Sequence, residues 1–176
     1  YKYRGIYVGG LRPAKNTQEF EKTLPDILEK TFTKEFIVVG PGPHASIIKK
    51  LEEKFGKAIK YIPQMPKNKL CTLISSSYYA YTPVKTGGWG FIGDCWGTKT
   101  PIVMTHNDGY VTNGLNALVA QNEDDLIRNI NRLGEDLKLY QSLQKNGYKE
   151  YEKRTPDIVG DILYSIFVKT LDRTKK

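Results

Sequence analysis

The chain has 176 residues, 39% of them hydrophobic, with 12 Tyr and 6 Phe, and carries a formal net charge of +8. That length suits one domain with a sizeable core, on the scale of about 100–200 residues per domain, and the aromatic content excludes a disordered chain. No run approaches the roughly 18 apolar residues of a membrane span, and the opening YKYRGIYVGG lacks the segments of a secretion signal, so a soluble, cytoplasmic protein is expected.

Tyr1 stands where a Met would open a gene product, with a strand pattern directly behind it, and this reads as a piece excised from a longer protein. The lysines are spread along helical patterns, as at Lys49, Lys50, Lys54 and Lys57, with no stripe of Arg interleaved with aromatics. That distribution reads as a solvated basic surface suited at most to peripheral contact with an acidic inner membrane face, and argues against nucleic acid.

Short β-branched or aromatic runs alternate with longer amphipathic stretches, the pattern of βαβ units around a parallel sheet with helices on both faces. The first strand is expected at Gly5 to Val8, closed by Gly9-Gly10. Asn16 and Thr17 are placed to cap a helix carrying Phe20, Leu24, Ile27, Leu28 and Phe32, with a kink or break at Pro25. A second strand, Phe36 to Val39, runs into Gly40-Pro41-Gly42-Pro43, where His44 begins or caps a helix bearing Ile47, Ile48, Leu51 and Phe55.

A third strand follows at Ile59 to Ile62, then a short helix from Pro66 through Leu70, Leu73 and Ile74, and a strand at Tyr78 to Tyr81. The Gly-rich stretch Thr86 to Gly90 leads into a short helix around Phe91 to Trp96. Strands at Ile102 to Met104 and Ala117 to Val119 come next, with helices from Glu123 to Leu133, from Asp136 to Lys145, and a periodic segment from Thr155 to Leu171. Cys71 and Cys95 lie in apolar helical stretches, which reads as core thiols and against a disulfide or a Cys-based metal site. One Rossmann-like domain over residues 1–176 is expected, with its ligands in the crevice outside the carboxyl ends of the strands.

Five stretches at that edge carry the chemistry. They are Gly9-Gly10-Leu11-Arg12-Pro13-Ala14-Lys15-Asn16, Gly40-Pro41-Gly42-Pro43, Ile62-Pro63-Gln64-Met65, Thr82 to Val103 with Asp94 inside it, and Asn113-Gly114-Leu115-Asn116-Ala117-Leu118-Val119 after Gly109. Taken together they resemble the C-terminal, nucleotide-sugar-binding domain of the group 1 family of retaining GT-B glycosyltransferases, from Tyr3 to about Leu171.

The resemblance implies a nucleoside-diphosphate sugar as donor, no metal and no further cofactor. Its diphosphate would be clamped at Gly9, Gly10, Arg12 and Lys15, with Gly40 in the turn near the nucleotide. Pro63 and Met65 would present backbone groups and a soft apolar surface to the base. Thr86, Gly88, Trp89, Gly90 and Phe91 would direct backbone N–H groups at phosphate where the chain enters a helix, and Asp94 would accept from the ribose hydroxyls. His106, Asn107 and Asp108 are placed either to reach the sugar or simply to turn the chain.

Two positions depart from the family pattern. Gly10 stands where the family has its Arg, leaving Arg12 as a displaced substitute, and near Thr86 no carboxylate replaces the first of the two customary glutamates. The implied function is transfer of a sugar with retention to a glycan, lipid or small molecule. Its base and acceptor site would belong to an N-terminal GT-B domain supplied in cis or as a subunit. The departures keep open a non-catalytic nucleotide-sugar-binding or partner subunit with a degenerate site, and a GT-B epimerase shares the scaffold.

Overall fold

The computed structural model describes residues 3–83, 89–107 and 109–174. Strands β1 (Arg4–Val8), β2 (Glu35–Val39), β3 (Ile59–Ile62), β4 (Tyr79–Thr82), β5 (Ile102–Met104) and β6 (Leu118–Val119) form one sheet in the order β3-β2-β1-β4-β5-β6. Every pairing is parallel, with Ile6 opposite both Ile37 and Ala80. The chain builds outward from β1 to β3, returns to lie against the other side of β1 as β4, and then builds outward again. The strand order therefore reverses between β1 and β4, the point where such sheets open a ligand crevice beyond their carboxyl ends.

Helices α1 (Phe20–Lys30), α2 (Ala45–Phe55), α3 (Lys67–Ser75), α4 (Trp89–Gly97), α5 (Glu123–Glu135), α6 (Leu137–Glu152) and α7 (Pro156–Thr174) complete the described elements. Alternate residues of each strand feed two cores, which is why the strands read as almost unbroken apolar runs. Tyr7, Phe36, Val38, Tyr79, Tyr81, Val103 and Leu118 pack with α1, α2, α5 and Leu143 of α6. On the opposite face, Ile6, Ile37, Val39, Ala80, Ile102, Met104 and Val119 pack with α3 and α4. Cys95 is fully buried in that second core, and burial pushes its thiol pKa up, so it stays protonated and inert, as a core thiol should. Cys71 is half-buried, and both thiols are free.

The local signals act largely as expected. Asn122 Oδ1 accepts from Asp125 N at 2.9 Å to cap α5, and Asp136 Oδ1 accepts from Leu139 N at 2.9 Å to cap α6. Several boundaries shift by one to three residues from the sequence expectation, and three differences have a local reason. First, α1 runs unbroken through Pro25, whose ring removes the bond to the Glu21 carbonyl; Glu21 is exposed, so water can satisfy that group.

The second difference is α6, which continues to Glu152 rather than stopping near Lys145. Gly147 lies inside it for close approach: a Cβ there would stand 2.4 Å from Trp96 Cδ1 where α6 crosses α4. The third is β6, which begins at Leu118, Ala117 instead bridging Asn113. Among the described residues no helix is long and apolar enough to cross a membrane.

Two buried phenols lie side by side on the first face. The Tyr79 hydroxyl shares a 2.9 Å hydrogen bond with the buried Thr33 Oγ1, whereas the Tyr81 hydroxyl has no partner among the described residues. Thr33→Val would strand the Tyr79 hydroxyl at a cost of about 1–3 kcal/mol. At about 2–4 °C per kcal/mol for a domain of this size, calorimetry should show a melting temperature lower by about 2–12 °C. An unchanged melting temperature would mean that the hydroxyl finds another partner.

Candidate functional site

The described residues among those predicted for the site lie in the segments that follow β1, β2 and β3 and on α4, and hydrogen bonds, an ion pair and a ring contact link these segments around one edge of the sheet. After β1, Gly9 N donates to Val39 O at 2.9 Å and Leu11 N to Pro41 O at 2.8 Å, lacing the Gly-Gly loop to the turn after β2. Gly40 N donates to Ile62 O at 2.9 Å and the Tyr61 hydroxyl to Gly40 O at 3.1 Å, tying that turn to the end of β3. Lys67, first in α3, donates from Nζ to Asp94 Oδ2 of α4. Phe91 of α4 returns to β1 by packing edge-on against Tyr7 with ring centroids 5.6 Å apart. Gly9, Gly40, Pro63, Met65, Phe91 and Asp94, dispersed over the sequence, thus stand around one edge.

Gly40 and Gly42 are required by this lacing. Their φ angles are +143° and +147°, and a Cβ would stand 2.0 Å from Gly9 O and 2.2 Å from Leu11 O respectively. Their role is to let two backbones touch, which holds the first loop in place. At Gly10 the nearest atom to a Cβ would be Arg12 Nε at 3.6 Å, an ordinary contact. The Arg12 side chain thus lies over the position from which the family's arginine would project. Its charge also reaches Tyr7, whose phenol pKa is raised by burial, with Arg12 opposing that rise.

Lys15 ends a 3-10 turn, Pro13–Lys15, whose N-cap is Arg12. The following Asn16 is left-handed with φ of 52°, and its Nδ2 donates to Pro83 O at 3.2 Å, which fixes the turn against the end of β4. His44 precedes α2, and its side chain makes no cap bond there; its Nδ1 pairs with Thr17 Oγ1 at 2.9 Å, so the ring braces the same turn.

On α4 the aromatic side chains serve the fold. Trp89 packs edge-on against Trp96 and Tyr110 at 6.0 and 5.5 Å, with the Arg154 guanidinium 5.4 Å from its ring. Phe91 bridges the two cores, and Met65, half-buried, packs against the second. What α4 offers at the edge is its first-turn backbone N–H groups, beginning at Trp89, Gly90 and Phe91, at the positive end of the helix dipole. Thr86 and Gly88, with Lys85, lie outside the described residues. Pro63 is exposed at the rim.

Of the fifth stretch, Asn116 is a structural knot. Its Oδ1 accepts from Thr112 N at 2.8 Å, its Nδ2 donates to Tyr110 O at 3.1 Å, and its carbonyl accepts from Trp96 Nε1 at 3.0 Å. His106 and Asn107 are exposed after β5, and Asp108 lies outside the described residues. Sequence reasoning missed Lys67; Pro66 at a helix start was its one local signal, and nothing local marks a partner 27 positions away. Among the described residues no group of three His, Cys, Asp or Glu side chains could hold a metal ion.

The family profile "Glycosyl transferases group 1" matches residues 2–136. No curated protein sequence matches the chain. Among solved structures, the chain is similar to the C-terminal domain of a glycosyl transferase group 1 family protein, LpcC of Francisella tularensis. The TM-score is 0.70 at 20% identity, over 86% of this chain and 84% of that one. HepE of Anabaena, solved with UDP and glucose, superposes with a TM-score of 0.77 at 14% identity, over 96% of this chain but 48% of that one. The pneumococcal O-GlcNAc transferase GtfA, solved with UDP and GlcNAc, gives a TM-score of 0.75 at 15% identity, over 93% of this chain and 35% of that one. This chain therefore spans about half or less of those two proteins, and it belongs to the glycosyl transferases group 1 family.

Proposed function

We propose that the ringed edge binds a nucleoside-diphosphate sugar as donor for a retaining transfer completed by a second, N-terminal GT-B half. What supports this reading is the sheet topology: the segments bearing Arg12, Lys15 and the start of α4 follow β1 and β4, the two strands between which the strand order reverses. Two cations and oriented N–H groups supply positive potential for a diphosphate, and stabilise the charge that grows on it as the sugar departs. Asp94 serves the ribose, and the turn at Pro63 and Met65 serves the base.

Asp94 must exchange its ion pair with Lys67 for, or share it with, the ribose hydroxyls. Asp94→Asn should therefore weaken binding of UDP-glucose to the 176-residue chain by about 3- to 30-fold in calorimetry, a neutral amide being a poorer acceptor. An unchanged affinity would remove Asp94 from the site. In the full-length protein, NMR of the product should show the donor's anomeric configuration kept; inversion would contradict the retaining assignment.

The apolar stripe of α7 fits the same picture. Ile158, Ile162 and Ile166 are 40%, 53% and 52% exposed, and Val159, Leu163 and Phe167 beside them are exposed as well. Such a stripe is suited to burial against the second half, supplied in cis or as a subunit. The overall charge of +8 suits a cytoplasmic protein that meets an acidic membrane face peripherally. Gly10 in the arginine position favours, as a second reading, a partner subunit that binds donor without transfer; activity of the full-length protein separates the two.

A further inference from the structure

Arg154 stands in the short corner between α6 and α7, and its guanidinium meets rings from two distant segments of the chain. It lies 5.4 Å from the ring centroid of Trp89 and 5.7 Å from that of Tyr110, within the roughly 6 Å at which a ring face attracts a cation. Those two rings are themselves packed edge-on, 5.5 Å apart. Glu150, one turn earlier on α6, fixes the guanidinium in place: Nη1 donates to Glu150 Oε2 at 2.7 Å and to the Glu150 carbonyl at 3.1 Å. A guanidinium bonded to a carboxylate and set over a ring has little freedom left.

Trp89 is the first residue of α4. Its indole lies back along its own helix, where a Cβ on Gly93 would stand 3.2 Å from Trp89 Cε2, so displacing the ring displaces the first turn. The later part of α4 is held separately, by the close crossings of α6 at Trp96 with Gly147 and at Gly97 with Tyr151. Asp94 in that part is also paired with Lys67. The first turn itself carries no acidic side chain, whereas that of α5 carries three, so its order depends on packing at Trp89 rather than on charge. Arg154 thus carries the hold of α6 forward to the start of α4.

Helix α4 follows β4, one of the two strands between which the strand order reverses, and the donor reading assigns its first-turn N–H groups to the diphosphate. We propose that Arg154 is a positioning residue for that contact: without touching the donor, it holds Trp89 and thereby aims the first turn of α4 at the diphosphate. The proposal rests on the donor reading. It also makes a distinction that a merely structural role would not. Loss of Arg154 should weaken ligands that carry the diphosphate, while a nucleoside, bound through Asp94 and the turn at Pro63 and Met65, should be unaffected.

The test is an amide NMR titration of the 176-residue chain and its variants with UDP-glucose, UDP and uridine. Arg154→Ala should weaken UDP-glucose and UDP about 2- to 30-fold and leave uridine within about twofold of the parent. In the free variant the indole N–H resonance of Trp89 should shift more than that of Trp96, which is bonded to Asn116 O at 3.0 Å and serves as an internal control. Arg154→Lys keeps a cation near the rings but loses the planar fork to Glu150. It should show the same pattern with a smaller loss, and it provides the readout should the Ala variant fail to fold.

Equal affinity for UDP-glucose in parent and variants, an equal loss for uridine, or an unmoved Trp89 resonance overturns the proposal. If UDP-glucose does not bind the parent chain, the donor reading fails and this proposal falls with it. Binding by the parent with no loss in the variants refutes the role of Arg154 alone.

Discussion

Lys15→Ala is expected to weaken binding of UDP-glucose to the 176-residue chain by about 10- to 150-fold, the loss of one charged hydrogen bond worth roughly 1.5–3 kcal/mol. The reason lies in how the turn is held. Lys15 N donates to Arg12 O, Asn16 pins the turn to Pro83, and His44 with Thr17 braces it from the side of α2. The Lys15 backbone is therefore fixed, and little backbone ordering remains to oppose a contact with the diphosphate. The contribution is Coulombic in part, so raising salt should erode the difference between the parent chain and Lys15→Ala.

Arg12 reaches the same region over Gly10, and its loss should be milder because it is exposed. Gly10→Arg offers a gain in the opposite direction: a Cβ there meets only ordinary contacts, so the fold should tolerate it and the donor should bind more tightly. An affinity for UDP-glucose within twofold of the parent in Lys15→Ala would place the diphosphate elsewhere.

Gly40→Ala should be the most damaging single substitution at the edge. The added Cβ would overlap Gly9 O at 2.0 Å, and the φ of +143° is hostile to any L side chain. Neither neighbour can move cheaply, because Gly9 N is bonded to Val39 O and Gly40 N to Ile62 O. Backbone strain and the lost lacing together should cost more than about 3 kcal/mol, a large share of the roughly 5–15 kcal/mol that holds a domain together. A melting temperature lower by at least about 6–12 °C is expected. Where the variant still folds, the first loop should be displaced and donor affinity reduced. A melting temperature within a degree or two of the parent would show that the lacing is slack.

The sheet was legible because its strands are buried on both faces. Phe36-Ile37-Val38-Val39 and Tyr79-Ala80-Tyr81 alternate between two cores, so both registers of each run are apolar and the run stands out from its surroundings. The turns at the edge were legible through their glycines, and Gly40 brings its backbone against that of Gly9. Side-chain destinations were not legible. Trp89 and Phe91 turn into the cores, and which way an aromatic in a first helical turn points depends on Trp96, Tyr110 and Tyr7, which come from elsewhere in the chain.

The pairing of Lys67 with Asp94 was hidden for the same reason, since it arises only when α3 and α4 pack side by side. Pro25 shows the converse: a residue that locally announces a kink or break is carried inside α1, where the residue whose carbonyl it leaves unbonded, Glu21, is exposed. The unmet hydroxyl of Tyr81 has no sequence signature at all, because Tyr79 two residues earlier, on the same face, is satisfied by Thr33.

The most direct test of the donor edge is a crystal structure of the 176-residue chain soaked with UDP-glucose. The diphosphate should lie within hydrogen-bonding distance of Lys15 and the first-turn amides of α4, with the ribose at Asp94 and the base beside Pro63 and Met65. A nucleotide bound away from these residues would contradict the account.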